Sequence, residues 1–229
     1  RHDPRFRYVR REQNLGRVAN YRHSLEHDAR GQWVLMLDGD DHLTDPCFIT
    51  TAMQALAASA DAAPCFAQAG QRVVRQPGPL APGTRRPAWK VPQVDILPDI
   101  PGDSQVMAGG DYVRFVLETG FFTHLGTLYR RDAAIRQGFY ARDISSADMD
   151  SLLRLALTGN VVVLKTIAGA WVQHGANTSS NLPLSSIEEN VRIFRAIARE
   201  GAAAGRLDMQ QLERSLTHHE ARTLVHLFR

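Results

Sequence analysis

Apolar and polar positions along the chain switch between two periods, and the switches mark out its elements. Phe6-Arg7-Tyr8-Val9-Arg10 alternates residue by residue and predicts a short strand. Gln13-Asn14-Leu15-Gly16 has turn chemistry. Leu15, Val18, Arg22, Leu25 and Ala29 then recur at helical spacing and predict a helix that stops near Gly31. Trp33 to Leu37 is an unbroken apolar run, the pattern of a buried strand. Asp45-Pro46 offers an N-cap with proline at the first helical position, so a second helix is expected from there to about Ala60. Residues 65 to 74 read as another strand.

Residues 76 to 103 hold most of the eleven prolines together with several glycines and arginines. That composition predicts an excursion rather than a core element, of a length that suits a lid or an insertion. Beyond it, Asp111 is placed to cap a helix to Glu118, Thr123 to Tyr129 reads as a strand, and Asp132 to Gln137 as a short helix. Ala147 to Thr158 is an amphipathic helix ended by Gly159. Val161 to Leu164 and Ala168 to Val172 read as two short strands, and from Leu184 the pattern is helical in two pieces broken at Gly201 to Gly205. Alternating strands and helices predict an α/β fold with a mostly parallel central sheet over residues 1–182, followed by a helical extension over 183–229.

Composition narrows the function classes. A chain of 229 residues, 44% hydrophobic and 22% charged, suits one globular domain with an appended helical piece. A net charge of +3 gives no polycationic signature for nucleic acid. Lys90 and Lys165 are the only lysines; the remaining basic side chains are arginines, which suit phosphate recognition. Cys47 and Cys65 form no CxxC pair and no metal-ligand spacing, so they read as buried thiols of a reducing compartment. With no run of 18 apolar residues and no secretory-signal pattern, a cytoplasmic protein is expected, free or peripheral at the cytoplasmic face of a membrane.

The chemistry concentrates where the Trp33–Leu37 run ends in Asp38-Gly39-Asp40-Asp41. Three carboxylates within four residues repel one another unless a cation joins them, and a hard divalent ion such as Mg²⁺ or Mn²⁺ takes oxygen ligands. The strand end is also where open α/β sheets bind ligands, and Gly39 allows close backbone approach. A turn whose carboxylates cap the next helix is the structural alternative, although a cap needs only one carboxylate.

The order of the motifs resembles a known family. Gln13-Asn14-Leu15-Gly16, Asn20 and the run from Gly31 to Asp41 resemble the core of family 2 glycosyltransferases of the GT-A fold, with their Asn-x-Gly turn, further Asn, apolar strand and terminal Asp-x-Asp-Asp. Gly126-Thr127-Leu128-Tyr129-Arg130-Arg131 with Gly138-Phe139 is similar to the family's acceptor-side strand and turn. Ala147-Asp148-Met149-Asp150-Ser151-Leu152-Leu153-Arg154-Leu155 resembles its Glu-Asp…Leu-x-x-Arg-Leu helix, and Trp171 to Ser179 its late Arg-x-His-x-x-x-x-Ser segment. The resemblance spans about residues 6 to 180.

The resemblance implies an inverting, metal-dependent transfer of a sugar from a nucleotide-sugar donor, a UDP-sugar first, to a hydroxyl of a saccharide, lipid-linked or other acceptor. It places Asp38, Gly39 and Asn14 on the donor side, with Asp38 at the ribose. Asp40 and His174 are implied as metal ligands, Asp41 as their support, Gly126 and Thr127 as acceptor side, and Asp148 as general base. The family's Glu is Ala147 here, which removes one acceptor-side carboxylate. Asp150 is the rival base, set about 200° from Asp148 around a helix at roughly 100° per residue. Asp148 also reads as a carboxylate stabilised at a helix N-terminus, and His174 as an ordinary polar residue. Family members open with further strands that cradle the base. Nothing in this sequence matches those strands, and Arg1 is not an initiator Met, so an upstream segment is expected.

Two other readings compete. A haloacid-dehalogenase-like phosphatase also carries an apolar strand ending in Asp-x-Asp, but expects Thr or Val soon after it and a Lys before the later acidic pair. Here Asp41-His42-Leu43 precede Thr44, and Lys165 follows Asp148. A degenerate nucleotide-binding module would account for Ala147. In the C-terminal piece, Ile187, Val191, Phe194, Ile197 and Ala198 form an apolar stripe for packing on the domain or for a homo-oligomer contact. Arg192, Arg195 and Arg199 suggest a membrane surface, but Glu188, Glu189 and Glu200 interrupt the charge and favour packing.

Overall fold

The computed structural model describes residues 3–76, 93–175, 177 and 184–227. A seven-stranded mixed sheet runs through the molecule in the order β1-β6-β3-β7-β2, with β4 paired to β3 and β5 to β7. The strands are β1 Trp33–Leu35, β2 His42–Leu43, β3 Pro64–Arg75, β4 Gln93–Ile96, β5 Ser104–Ala108, β6 Thr127–Arg130 and β7 Asn160–Gln173. The central and longest pair, β3 with β7, is parallel. The shorter pairings around it are antiparallel, so β1, β3 and β7 run one way and the other four strands run against them.

Helices cover both faces, which gives the layered α/β architecture of the GT-A type. On one face α2, Phe48–Ala58, buries Phe48, Ala52 and Leu56, spaced four apart so that they share one stripe. They join Ala67, Leu128 and Val162 in one core. Each large side chain buried there contributes roughly 2–3 kcal/mol. The other face carries α1 Arg17–His23, α3 Gly109–Thr119, α4 Arg131–Gln137, α5 Ala147–Ala156, α6 Leu184–Ala203 and α7 Met209–Leu227. Leu153, Tyr112 and Phe194 share its larger core. The C-terminal stripe lies in that core: Phe194, Ile197 and Ala198 of α6 and Leu212 and Leu216 of α7 are buried against the domain. These side chains are therefore covered within the chain.

Local chemistry sets the boundaries. Gly16 takes φ 77° just before α1, a conformation that glycine alone adopts cheaply, and the Asn14 carboxamide oxygen accepts the Gly16 N–H at 2.9 Å. After His23 the helix widens to a π turn over Ser24–Asp28. Asp45 does not cap at the expected residue: its side chain accepts the Cys47 N–H at 2.8 Å, and α2 opens at Phe48. α3 ends on Gly120 and α4 on Gly138, both left-handed.

Several expectations need correction. Phe6 to Arg10 is not a strand: it joins no ladder among the described residues, and Phe6 and Tyr8 are exposed. Period-two alternation gives a face but supplies no partner strand. The two late strands are one, because Lys165 and Thr166 form a bulge between the pairs Ala69↔Leu164 and Gly70↔Ile167, and the polar pair that reads as a break is looped out of an unbroken ladder. β4 falls inside the proline-rich excursion, where the Arg72–Asp95 ion pair clips it to β3 at 2.6 Å; residues 77–92 of that excursion lie outside the described residues. Residues Thr123 to Gly126 form a loop, and β6 starts only at Thr127. Cys65 is buried as expected, but Cys47 is exposed. Among the described residues no helix is long and apolar enough to cross a membrane.

Candidate active site

The acidic turn is held at both ends. It leaves β1 at Leu35, closes when the Asp41 N–H donates to the Asp38 carbonyl at 3.1 Å, and enters β2, which pairs with β7 at His42↔Ala170. Gly169 permits that pairing: a Cβ there would lie 2.4 Å from the His42 carbonyl oxygen. The Asp41 carboxylate also accepts the Val172 N–H at 2.9 Å, which ties the turn to β7. The Tyr21 hydroxyl, on α1, donates to Asp38 Oδ1. His174 Nε2 lies 3.0 Å from Asp40 Oδ2, and the Asn177 amide donates to the same oxygen at 3.1 Å.

One oxygen from each of Asp38, Asp40 and Asp41 lies within 4.8 Å of the others. Burial raises the Asp41 carboxyl above the ordinary aspartate range. The charges of Asp40 and Asp38 raise it further, and the Val172 N–H opposes them. Burial likewise raises the Tyr21 hydroxyl, helped by its bond to Asp38, so it stays protonated and donating. Three convergent carboxylates, one of them partly desolvated and like-charged with its neighbours, form a donor set suited to a hard divalent ion. Asp40 and Asp38 would hold it, and His174 is near enough to join or to orient Asp40.

These carboxylates line a cavity of about 510 Å³, and Asp148 lines it too, from the first turn of α5. Asp150 does not: it is buried, with Arg154 Nε at 2.9 Å and Arg142 Nη1 at 3.5 Å. Arg154 also pairs with Glu200 of α6, so Asp150 serves to fasten α5 to the extension. Ala147 is buried in the core rather than in the lining. The Arg17 guanidinium donates to the Ser145 carbonyl at 2.7 Å and stands 5.7 Å from the Tyr21 ring, bracing the loop before α5 against α1.

The remaining sequence candidates are scattered. Gly39 lines the cavity. Asn14 lines a neighbouring cavity of about 410 Å³, which meets the first at Arg17. Gly126 and Thr127 lie beneath the cavity and outside its lining: Thr127 is fully buried, and a Cβ at 126 would fall 2.7 Å from the Ala69 carbonyl oxygen. Their neighbour His124 reaches the cavity in their place, as do Tyr21 and Trp171. Sequence pattern hid all three. Tyr21 falls inside the helix expected after Gly16 with no neighbour pattern to single it out, Trp171 reads as a strand residue, and His124 falls within a stretch that reads as strand. The polar pair Thr123 and Thr127, four residues apart around His124, is the one signal that the segment is not a plain apolar strand.

Residues 1–113 match the family model described as glycosyl transferase family 2. No curated protein matches the chain.

Proposed function

We propose, from the match of residues 1–113 to the family model described as glycosyl transferase family 2, that the protein moves a sugar from a nucleoside-diphosphate donor, a UDP-sugar first, to a hydroxyl of a saccharide or lipid-linked acceptor, with a divalent ion and with inversion. The observation that carries this reading is that Asp148 and the Asp38–Asp41 turn, about a hundred residues apart in sequence, line one cavity. A donor diphosphate needs its developing negative charge neutralised, and an acceptor hydroxyl needs a base. The two requirements map onto the two acidic groups.

Asp40 is the ion's ligand in this reading, and Asp38, placed at the donor ribose by the resemblance, joins it because one oxygen of each lies within 4.8 Å of the other. Asp41 supports them, and His174, placed as a metal ligand by the resemblance, orients Asp40 together with Asn177. A bound Mn²⁺ or Mg²⁺ would supply Lewis-acid stabilisation of the departing diphosphate. Asp148 takes the acceptor's proton as the oxygen attacks the anomeric carbon from the face opposite the leaving group, which inverts that centre. Arg17, at the junction of the two cavities, and Asn14, in the second, place the donor across both.

The phosphatase reading gains nothing from the geometry. It needs a lysine beside its acidic cluster, and Lys165 donates to the Ile100 carbonyl at 3.2 Å, away from the cavity. Thermal shift tests the proposal: UDP with Mn²⁺ should raise the melting temperature, and neither alone should do so fully. Asp40→Ala should remove that shift. A shift of the same size in the variant would remove Asp40 from the metal site.

A further inference from the structure

His124 enters the cavity that holds the four carboxylates, and the transfer described above makes no use of it. Its backbone is tightly fixed. On one side Thr123 is buried: its hydroxyl donates to the Ala69 carbonyl at 2.7 Å, and its carbonyl accepts the Gln68 amide at 2.8 Å and the Thr127 hydroxyl at 2.6 Å. On the other side the Gly126 carbonyl accepts the Ala69 N–H at 2.9 Å, and the Thr127 N–H donates to the His124 carbonyl at 3.1 Å. Gln68 Oε1 in turn accepts the Tyr112 hydroxyl at 2.5 Å. A buried polar network with its groups satisfied in this way specifies one position for the loop it holds.

The ring is fixed as well. Nε2 lies 2.9 Å from the Tyr140 hydroxyl, and the imidazole stands edge-on to the Tyr140 ring and against the Tyr21 ring. Tyr140 is buried, and burial holds its hydroxyl well above the ordinary tyrosine value, so it remains a neutral partner. No further hydrogen bond to the His124 side chain occurs among the described residues. Nδ1 is thus the ring nitrogen left for a ligand.

We propose that His124 is a specificity-determining residue that binds a hydroxyl of an uncharged saccharide acceptor through Nδ1, with Tyr140 as the positioning residue that sets the ring; the inference rests on the glycosyl-transfer reading. An imidazole held at Nε2 presents one directional hydrogen-bonding site, which suits a single sugar hydroxyl. Tyr21 and Trp171 add aromatic surface in the same cavity, and pyranose C–H faces pack on such rings. Asp38, Asp40, Asp41 and Asp148 repel a carboxylate on the sugar that docks there, which selects against uronic acids.

The test is saturation-transfer NMR of the full chain, without donor, against a panel of neutral mono- and disaccharides and the matching uronic acids. Neutral saccharides should bind the wild type. Binding should weaken about five- to tenfold in His124→Phe, which keeps the ring and loses both nitrogens, and return in His124→Asn, whose amide occupies the Nδ1 position. Tyr140→Phe should weaken it by roughly threefold, and in turnover should raise the acceptor KM with little change in kcat. If the phenylalanine variant fails to fold, His124→Ala should show the same loss. Equal binding by wild type and His124→Phe, preference for uronic acids, or no neutral saccharide bound would each overturn the proposal. Turnover with an unchanged acceptor KM in His124→Phe sinks this inference and leaves glycosyl transfer standing. His124-dependent binding without turnover from any donor sinks glycosyl transfer instead.

Discussion

Replacing Gln68 by leucine separates the network beneath the cavity from the cavity itself. Gln68 is fully buried and makes three side-chain bonds: to the Thr123 carbonyl at 2.8 Å, to the Thr127 hydroxyl oxygen at 3.0 Å and from the Tyr112 hydroxyl at 2.5 Å. Leucine keeps most of the volume and removes all three. The Thr123 carbonyl keeps the Thr127 hydroxyl at 2.6 Å, so its loss is partial. The Tyr112 hydroxyl, on a fully buried ring, loses its acceptor. Stranding one buried hydroxyl costs about 1–3 kcal/mol, and the weakened threonine bonds bring the expected total to roughly 2–3 kcal/mol. For a chain of this size that lowers the melting temperature by about 5–10 °C. Tyr112→Phe in the same chain removes the stranded hydroxyl, so the double variant should be more stable than the sum of the two losses by about 1 kcal/mol. Chemical denaturation of the four proteins measures the cycle. A Gln68→Leu melting temperature within about 2 °C of wild type, or strictly additive losses, would show that the network does not hold the loop.

Two further outcomes follow from the same geometry. The Asp41 carboxyl is raised in the folded state, so its proton stabilises the metal-free fold fully below the ordinary aspartate value of about 4, and that stabilisation is lost as pH rises through the folded value. Asp41→Asn can still accept the Val172 N–H, so the metal-free variant should melt higher than wild type at neutral pH, by a margin that shrinks on acidification, while binding Mn²⁺ more weakly; a margin independent of pH would contradict the raised carboxyl. Leu153 of α5 is fully buried, and Leu153→Ala should cost about 3 kcal/mol with the cavity carboxylates left in place. Unchanged stability by urea titration would contradict its place in the core.

Much of this fold is legible in sequence because its signals are local. The helix after Asp45-Pro46, the α5 helix with Gly159 after it, and the strand running into three aspartates are each read from a few adjacent residues, although that strand ends at Leu35, is only half-buried and leaves Leu37 exposed. What stays hidden depends on partners distant in sequence. Phe6 to Val9 alternates like a strand yet finds no neighbour among the described residues, while Lys165-Thr166 looks like a break and is a bulge because β3 continues alongside. The site follows the same rule. Asp38, Asp40 and Asp41 announce themselves as a cluster. The resemblance favours Asp148 over Asp150, and the rotation of α5 places Asp148 in the cavity lining while burying Asp150 against Arg154. Gly126 and Thr127 sit in the right segment but face Ala69 and Gln68, and only the folded loop shows that His124 is the residue that reaches the cavity.

The most direct test of glycosyl transfer is mass spectrometry of reactions with a panel of nucleotide sugars, Mn²⁺ and neutral saccharide or lipid-linked acceptors, run with wild type and Asp148→Asn side by side. Wild type should add one sugar mass to an acceptor, with loss of that product when the metal is chelated. Asp148→Asn should form no product while keeping the Mn²⁺-dependent thermal shift with UDP. Full activity in Asp148→Asn, or transfer that persists undiminished without metal, would contradict the roles given to the two acidic groups.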